Sequence, residues 1–344
     1  MSHQNFLRLA LFATSVAVVV VVLGAYVRLT DAGLGCPDWP GCYGHIGVPS
    51  SEAALARANA VFPDRPVEPE KAWNEMIHRY LASFLGLLIL ALAWFAWKRR
   101  NEPDQLVVLP FVLVGLVCLQ GAMGMWTVTL LLKPAVVTAH LIGGMSTTAL
   151  LFWLALRHGG LFTLSVLADQ AKSVDYGRWR LYAGFGLIVL SAQIILGGWT
   201  STNYAALACP DLPTCHGQWL PWWDAKQAFT VWGTLGIDYE GGVLSNEARV
   251  TIHATHRLGA LITFLYIGGL AIWMLIAAPT IVKRAALTVL ALLCLQVGLG
   301  IANVALLLPL PLAVAHNGVA ALLLLSMLAL IHTISSSPAV ISRA

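Results

Sequence analysis

The chain has 344 residues, 58% of them apolar and only 10% charged, with a mean hydropathy of +0.78 and a formal net charge of +4. Those values exclude an ordinary soluble domain, and so small a positive balance gives no reason to expect a nucleic-acid partner. What remains is a chain made largely of segments long enough to cross a hydrocarbon core of about 30 Å.

Eight such spans follow in chain order, near residues 7–28, 75–97, 106–127, 134–156, 181–200, 250–274, 284–307 and 312–334. They must be helices, because a lipid-exposed backbone has to satisfy its own hydrogen bonds. The first has no small-residue cleavage pattern behind it and continues into GAYVRLTDAGLGC, so it reads as a retained helix and not a removable signal. Lys98, Arg99 and Arg100 lie in one connection, Arg157, Lys172, Arg178 and Arg180 in another, and Lys283 and Arg284 in a third. All fall on the side of Arg8 and Arg343, which the positive-inside rule makes cytoplasmic together with both termini. The long loops 29–74 and 201–249 are then external, and they carry Asp31, Asp38, Asp64, Glu68, Glu70, Asp211, Asp224, Asp238 and Glu240. A bacterial inner membrane is the expected location.

The spans form an internal repeat. GAYVRLTDAGLGCPDWPGCYG (24–44) aligns without a gap on GGWTSTNYAALACPDLPTCHG (197–217), and CLQGAMGMWTVTLLLKPAVVTAH (118–140) on CLQVGLGIANVALLLPLPLAVAH (294–316). IHRYLASFLG (77–86) answers THRLGALITF (255–264). The organisation implied is a four-helix half over 1–160, a cytoplasmic linker over 161–180 and a second half over 181–344. An even number of helices returns the chain to its starting side, so the fold expected is all-α, two tandem four-helix bundles related by a pseudo-twofold axis along the membrane normal.

Four histidines occupy matched positions inside spans: His78 with His256, and His140 with His316. Each comes soon after its helix starts on the external side, so all four share one depth in the outer third of the membrane. Two imidazoles per half, on separate helices at equal depth, suit a planar metal macrocycle gripped between helices, since imidazole is a strong neutral ligand for haem iron. Such a histidine can also serve only as a helix–helix hydrogen-bond partner. Zinc is disfavoured because neither half supplies a third nitrogen or thiolate ligand at that level. Arg79 and Arg257 directly follow two of the histidines and could pair with haem propionates, or simply snorkel to the interface. Small residues beside the histidines (Gly143, Gly144, Gly318, Ala315, Ala320) permit close approach of helices or of a flat ring. Cys118 and Cys294, also matched, read as small core residues.

One asymmetry breaks the repeat: Glu75-x-x-His78 becomes His253-x-x-His256. Residues three apart share a helical face, so only the first half sets a carboxylate beside its histidine, able to orient water or move a proton. Glu75 can also be read, with less weight, as a solvated residue at a helix start. The external loops repeat CPDWPGC (36–42) as CPDLPTC (209–215). Outside the cytoplasm disulfides persist, so Cys36–Cys42 and Cys209–Cys215 are expected as intraloop bridges over free thiols, with a redox role left open.

In the RLTDAGLGCPDWPGC loop, the EMIHR helix start, the VVTAHLIGG and LAVAHNGVA helices and the THRLGA repeat, the chain resembles the haem A synthase family from about residue 20 to 335. The resemblance implies an enzyme that oxidises the C8 methyl group of haem O to the formyl group of haem A for cytochrome oxidase. It implies that His78 and His140 hold the substrate haem O with Glu75 near the reacting methyl, and that His256 and His316 hold haem B as redox cofactor. Haem O synthase, cytochrome oxidase assembly factors, the lipid bilayer and a second copy of the chain are the partners it suggests. A di-haem b-type quinol oxidoreductase explains the histidines but not the missing second carboxylate. A membrane thiol oxidoreductase explains the loops but leaves the histidines unused, and a transporter would not hold stoichiometric haem.

Overall fold

A computed structural model describes residues 3–102, 105–159, 176–219, 221–233 and 238–335. In chain order its helices are α1 (His3–Leu29), α2 (Glu52–Val61), α3 (Pro69–Lys98), α4 (Val108–Thr129), α5 (Pro134–Gly159), α6 (Tyr176–Thr202), α7 (Ala225–Ala228), α8 (Asn246–Ala277), α9 (Thr280–Ala305) and α10 (Leu310–Ser335). All but α2 and α7 are long and apolar enough to cross a membrane, so the protein is an all-α multi-pass membrane protein with eight candidate spans. Among the described residues there is no strand, only isolated bridges pairing Cys42 with His45 and Cys215 with Gln218.

The spans match the expected ones, with two informative extensions. Helix α3 starts at Pro69, where proline suits the first helical position, and α8 starts behind Ser245, whose hydroxyl accepts from the Ala248 N–H. Both initial turns are polar, so hydropathy does not reveal them. Of the linker expected at 161–180, residues 161–175 lie outside the described residues, as does Arg343, and 176–180 open α6.

Helix α1 packs on α3 and α5, and α4 packs on the same two; likewise α6 packs on α8 and α10, and so does α9. Replacing α1, α3, α4 and α5 by α6, α8, α9 and α10 turns the first set of pairings into the second. The contacts between halves obey the same exchange: α1 on α10 becomes α6 on α5, and α5 on α10 maps onto itself. This is the pattern that two tandem four-helix bundles related by a two-fold axis produce. Small residues close the seams. A β-carbon on Gly198 would lie 2.8 Å from Leu141 Cδ2, and one on Gly318 would lie 3.2 Å from Val22 Cγ2. Thr138 and Thr202 add a buried hydroxyl pair at 3.1 Å between α5 and α6.

Apolar side chains fill each bundle: Phe6, Ala10, Leu85, Ile89, Leu113, Leu151 and Leu154 in the first half, and Ile267, Met274, Leu293, Met327 and Leu330 in the second. Cys118 and Cys294 are not core residues; both are exposed on α4 and α9, turned outward from the bundles. A thiol is apolar enough to sit on a lipid-facing surface, so the repeat alone could not assign them inward.

The loops that join α1 to α3 and α6 to α8 are ordered from within. Both disulfides, Cys36–Cys42 and Cys209–Cys215, are formed. The Asp38 carboxylate accepts from the N–H groups of Tyr43 (2.6 Å) and Gly44 (2.7 Å), and Asp211 does the same for His216 (2.6 Å) and Gly217 (3.0 Å). In each turn two successive residues have positive φ, and the second is a glycine, which adopts that region without steric cost. The loops also bind the halves together. Arg65 pairs with Asp238 and with Glu240 (3.0 Å), and Arg28 donates to the Ser201 carbonyl (2.8 Å) while stacking over the Tyr204 ring.

Candidate haem site

Each of the four matched histidines is half-buried and faces a glycine on a neighbouring helix. A β-carbon on Gly24 of α1 would lie 3.1 Å from His78 Cε1, and one on Gly197 of α6 would lie 3.2 Å from His256 Cε1. On the other side of each bundle, Gly124 of α4 meets His140 Cε1 at 3.7 Å and Gly300 of α9 meets His316 Cε1 at 3.2 Å. The four glycines are themselves matched in the repeat. They are notches that let an imidazole lie between two helices, and their signal was present in the aligned GAYV/GGWT and CLQGAMG/CLQVGLG segments.

The fold brings the histidines together in pairs. His78 and His140 lie within electrostatic reach of each other, as do His256 and His316. The Nδ1 atoms of His78, His140 and His316 are buried and have no hydrogen-bond partner. Among the described residues no three His, Cys, Asp or Glu side chains converge as a metal cage. Two neutral imidazoles set in glycine notches are a donor set that would hold a haem iron; in the first pair both Nδ1 atoms lack a partner, while in the second His256 Nδ1 meets Gln193 at 3.0 Å and His316 Nε2 meets Gln296 at 3.3 Å. The residues present therefore fit the group.

Glu75 is not a solvated helix-start residue. It lies well inside α3, one turn before His78, and is 5% exposed. Its Oε2 accepts from the Cys36 N–H at 2.8 Å, and its Oε1 accepts from Arg79. Arg79 Nη1 then donates to the loop carbonyls of Asp38 (3.1 Å), Pro40 (3.3 Å) and Gly41. The carboxylate thus ties the disulfide loop to α3 beside His78.

In the second half His253 takes the same place. The Cys209 N–H points at its Nδ1 (3.1 Å), and Arg257 Nε points at its Nε2 (3.2 Å). Arg257 also donates to the carbonyls of Cys209, Asp211 (2.8 Å) and Thr214 (2.9 Å). A carboxylate accepts both donors, whereas a neutral imidazole has a single acceptor nitrogen, so only one of these two contacts to His253 can be a hydrogen bond at a time. Both arginines are engaged by loop carbonyls, a role that sequence reasoning missed because it depends on the path of the loop backbone.

These features define a class: an α-helical membrane protein built by duplication, with an imidazole pair under a disulfide-closed loop in each half. Within that class the chain belongs to the COX15-CtaA family, cytochrome oxidase assembly protein, whose family model matches residues 7–328. It is similar to proteins named heme A synthase from Shewanella oneidensis (48% identical over 309 residues, 90% of each chain) and from a Caulobacter species (30% over 337 residues, 92% of each chain). A third so named, from a Bradyrhizobium species, is 30% identical over 337 residues, 92% of this chain and 87% of the relative.

Proposed function

We infer that this chain is a haem A synthase, an oxidoreductase that converts the C8 methyl group of haem O into the formyl group of haem A. The observation that carries this reading is a broken equivalence in a duplicated site: two imidazole pairs, and a buried carboxylate beside only one of them. The first half is then the reacting half, in which His78 and His140 would hold haem O as substrate. His256 and His316 would hold haem B, which supplies one-electron redox chemistry when bound.

The rest of the mechanism belongs to the chain's own residues. Taking a methyl group to a formyl group by way of an alcohol and a hydrated aldehyde is a four-electron oxidation; the electrons must leave to an acceptor outside the chain, and protons leave the carbon and the added oxygen. Glu75 is the group one turn from His78 that can take a proton or orient water there. Its hydrogen bonds from Cys36 and Arg79 use two of about four acceptor positions on the carboxylate, leaving lone pairs for a substrate or a water. They also fix its position, so it reorganises little as charge develops. The Cys36–Cys42 and Cys209–Cys215 loops act as lids that keep bulk water from each pair. Arg79 and Arg257 act first as anchors of those lids; a propionate would have to share donors already given to carbonyls.

In this reading the protein sits in a bacterial inner membrane with the loops of 29–74 and 201–249 outside and both termini in the cytoplasm. Haem O synthase and the cytochrome oxidase assembly machinery are the partners on either side of its reaction. The direct test is to purify the protein in detergent, record its absorbance spectrum and extract its pigments. A b-type signal together with conversion of added haem O into a formyl haem supports the assignment. Haem without conversion would make it an electron-transfer protein, and absence of haem would refute both.

A further inference from the structure

Two polar contacts at the histidines are not repeated by the duplication: Gln296 Nε2 lies 3.3 Å from His316 Nε2, where its counterpart Gln120 Nε2 has no partner, and Gln193 meets His256. Gln193 stands four residues before Gly197 on α6, where α1 has Val20 four residues before Gly24. Gln193 Nε2 lies 3.0 Å from His256 Nδ1 and donates to the His256 carbonyl, also at 3.0 Å. Gly259 makes room for the amide: a β-carbon there would come 2.3 Å from Gln193 Oε1. The residue in the same place after His78 is Leu81. The second half thus pairs a glutamine with a glycine where the first pairs valine with leucine, and His78 Nδ1 is left without a partner.

We propose that Gln193 is a positioning residue for His256, admitted by the Gly259 notch, and that it makes the second half the site that retains its haem. This rests on the reading of the two imidazole pairs given above and deepens it. As placed, the amide NH2 reaches both the Nδ1 and the carbonyl of His256, an arrangement in which a neutral ring carries its proton on Nε2. Ligation through Nε2 leaves the proton on Nδ1, and such a proton is normally donated to a nearby acceptor, which sets the tautomer and raises ligand basicity. Gln193 Oε1 is buried and unpartnered, and on ligation an amide turned end for end presents that acceptor to the Nδ1 proton in exchange for its bond to the His256 carbonyl, leaving Nε2 to the iron. Valine can do neither. In the first half His78 is seated on its glycine without a hydrogen bond from this position, which suits a site whose occupant must arrive as substrate and leave as product.

The test uses the full-length protein as purified with its haem, comparing Gln193→Leu, Gln193→Glu and the double variant Gln193→Val/Gly259→Leu, which installs the first-half pair. Haem loss is followed by transfer to apomyoglobin, and the midpoint potential by redox titration. Losing the partner should speed loss of haem B about 10-fold, the scale typical of such supporting bonds, and raise its potential. Gln193→Glu should restore retention and lower the potential below that of the parent. A change in retention with no change in potential would mean a packing role only and would overturn the proposal, as would no change in either. His256→Ala separates the levels. If it leaves the haem signal intact, the ligation reading fails; if it abolishes the signal while the Gln193 variants match the parent, only the present inference fails. Should Gln193→Leu not fold, an unshifted potential in Gln193→Glu is equally decisive.

Discussion

A carboxylate and an imidazole that occupy the same place in two copies of one bundle differ first in what they can accept. Glu75 satisfies the Cys36 N–H and the Arg79 guanidinium at once, whereas His253 faces the equivalent donors with one lone pair. Glu75→Gln keeps an acceptor for the Cys36 N–H and removes the proton-accepting oxygen. The variant should fold, bind haem and accumulate unconverted or half-oxidised substrate, with turnover lowered by about 100-fold or more. Normal haem A output from Glu75→Gln or Glu75→Ala, read from extracted pigments, would remove Glu75 from the chemistry. Glu75 was legible because the repeat supplied its own control, a histidine three residues before the matched ligand. Gln193 was not, since a single amide opposite a valine in an apolar span carries no periodicity and no motif; only the path of α6 past α8 gives it meaning.

At the scale of helices and loops, the glycine notches and the capped turns have separate consequences. Adding a branched side chain at Gly24 would drive into the His78 ring, and the same change at Gly197 would strike His256. Gly24→Val should therefore empty the first half while sparing the second, and Gly197→Val should do the reverse. The check is haem content and the number of distinct spectral components. If both variants lose the same component, the two halves are not separate sites. In the second loop, the Thr214 hydroxyl first, and then the N–H groups of Gly217 and His216, hold the Asp211 carboxyl well below its ordinary value of 3.8. A depressed folded-state value means that the stabilisation is complete above the ordinary value and fades as pH falls below it. Hydrogen exchange in residues 209–217 should thus stay slow from pH 7 down to about 4, whereas Asp211→Ala should speed it across that whole range. The eight spans were readable from hydropathy, but α2, α7 and the first turns of α3 and α8 were not, because they are polar and sit outside any apolar run.

For the whole molecule the decisive sequence features were long-range ones. The aligned repeat anticipates the exchange of helix pairings between halves, and the basic residues at the ends of the spans anticipate an orientation. Cysteine substitution tests that orientation in intact cells: a thiol at Ser50, exposed in the first loop, should react with a membrane-impermeant reagent added outside. A thiol at Glu102, exposed beyond the other end of α3, should react only after the membrane is opened. The opposite pattern would invert the topology and put the imidazole pairs near the cytoplasm. What no pattern in the sequence could supply is the meeting of the two halves, because Gly198 against Leu141 and Gly318 against Val22 join residues far apart in the chain.

The direct packing of α5 on α10 has an electrical consequence. These helices carry His140 and His316, one member of each half's matched pair, so their contact forms part of the partition between the two pairs. Packed helix axes lie about 8–10 Å apart, which places centres on either side of the pair within about 20 Å. At that separation and an effective dielectric constant of about 20, unit charges still interact by about 0.8 kcal/mol. An electron added on one side thus changes the cost of adding one on the other. Titrating the second-half haem with the first half filled, and again with it emptied by His78→Ala, should give two different potentials; identical values would mean that the partition screens the sites completely. In the proposed reading the shared wall would make substrate and cofactor a coupled pair of charges, so that loading the substrate would reset the potential of the centre beside it.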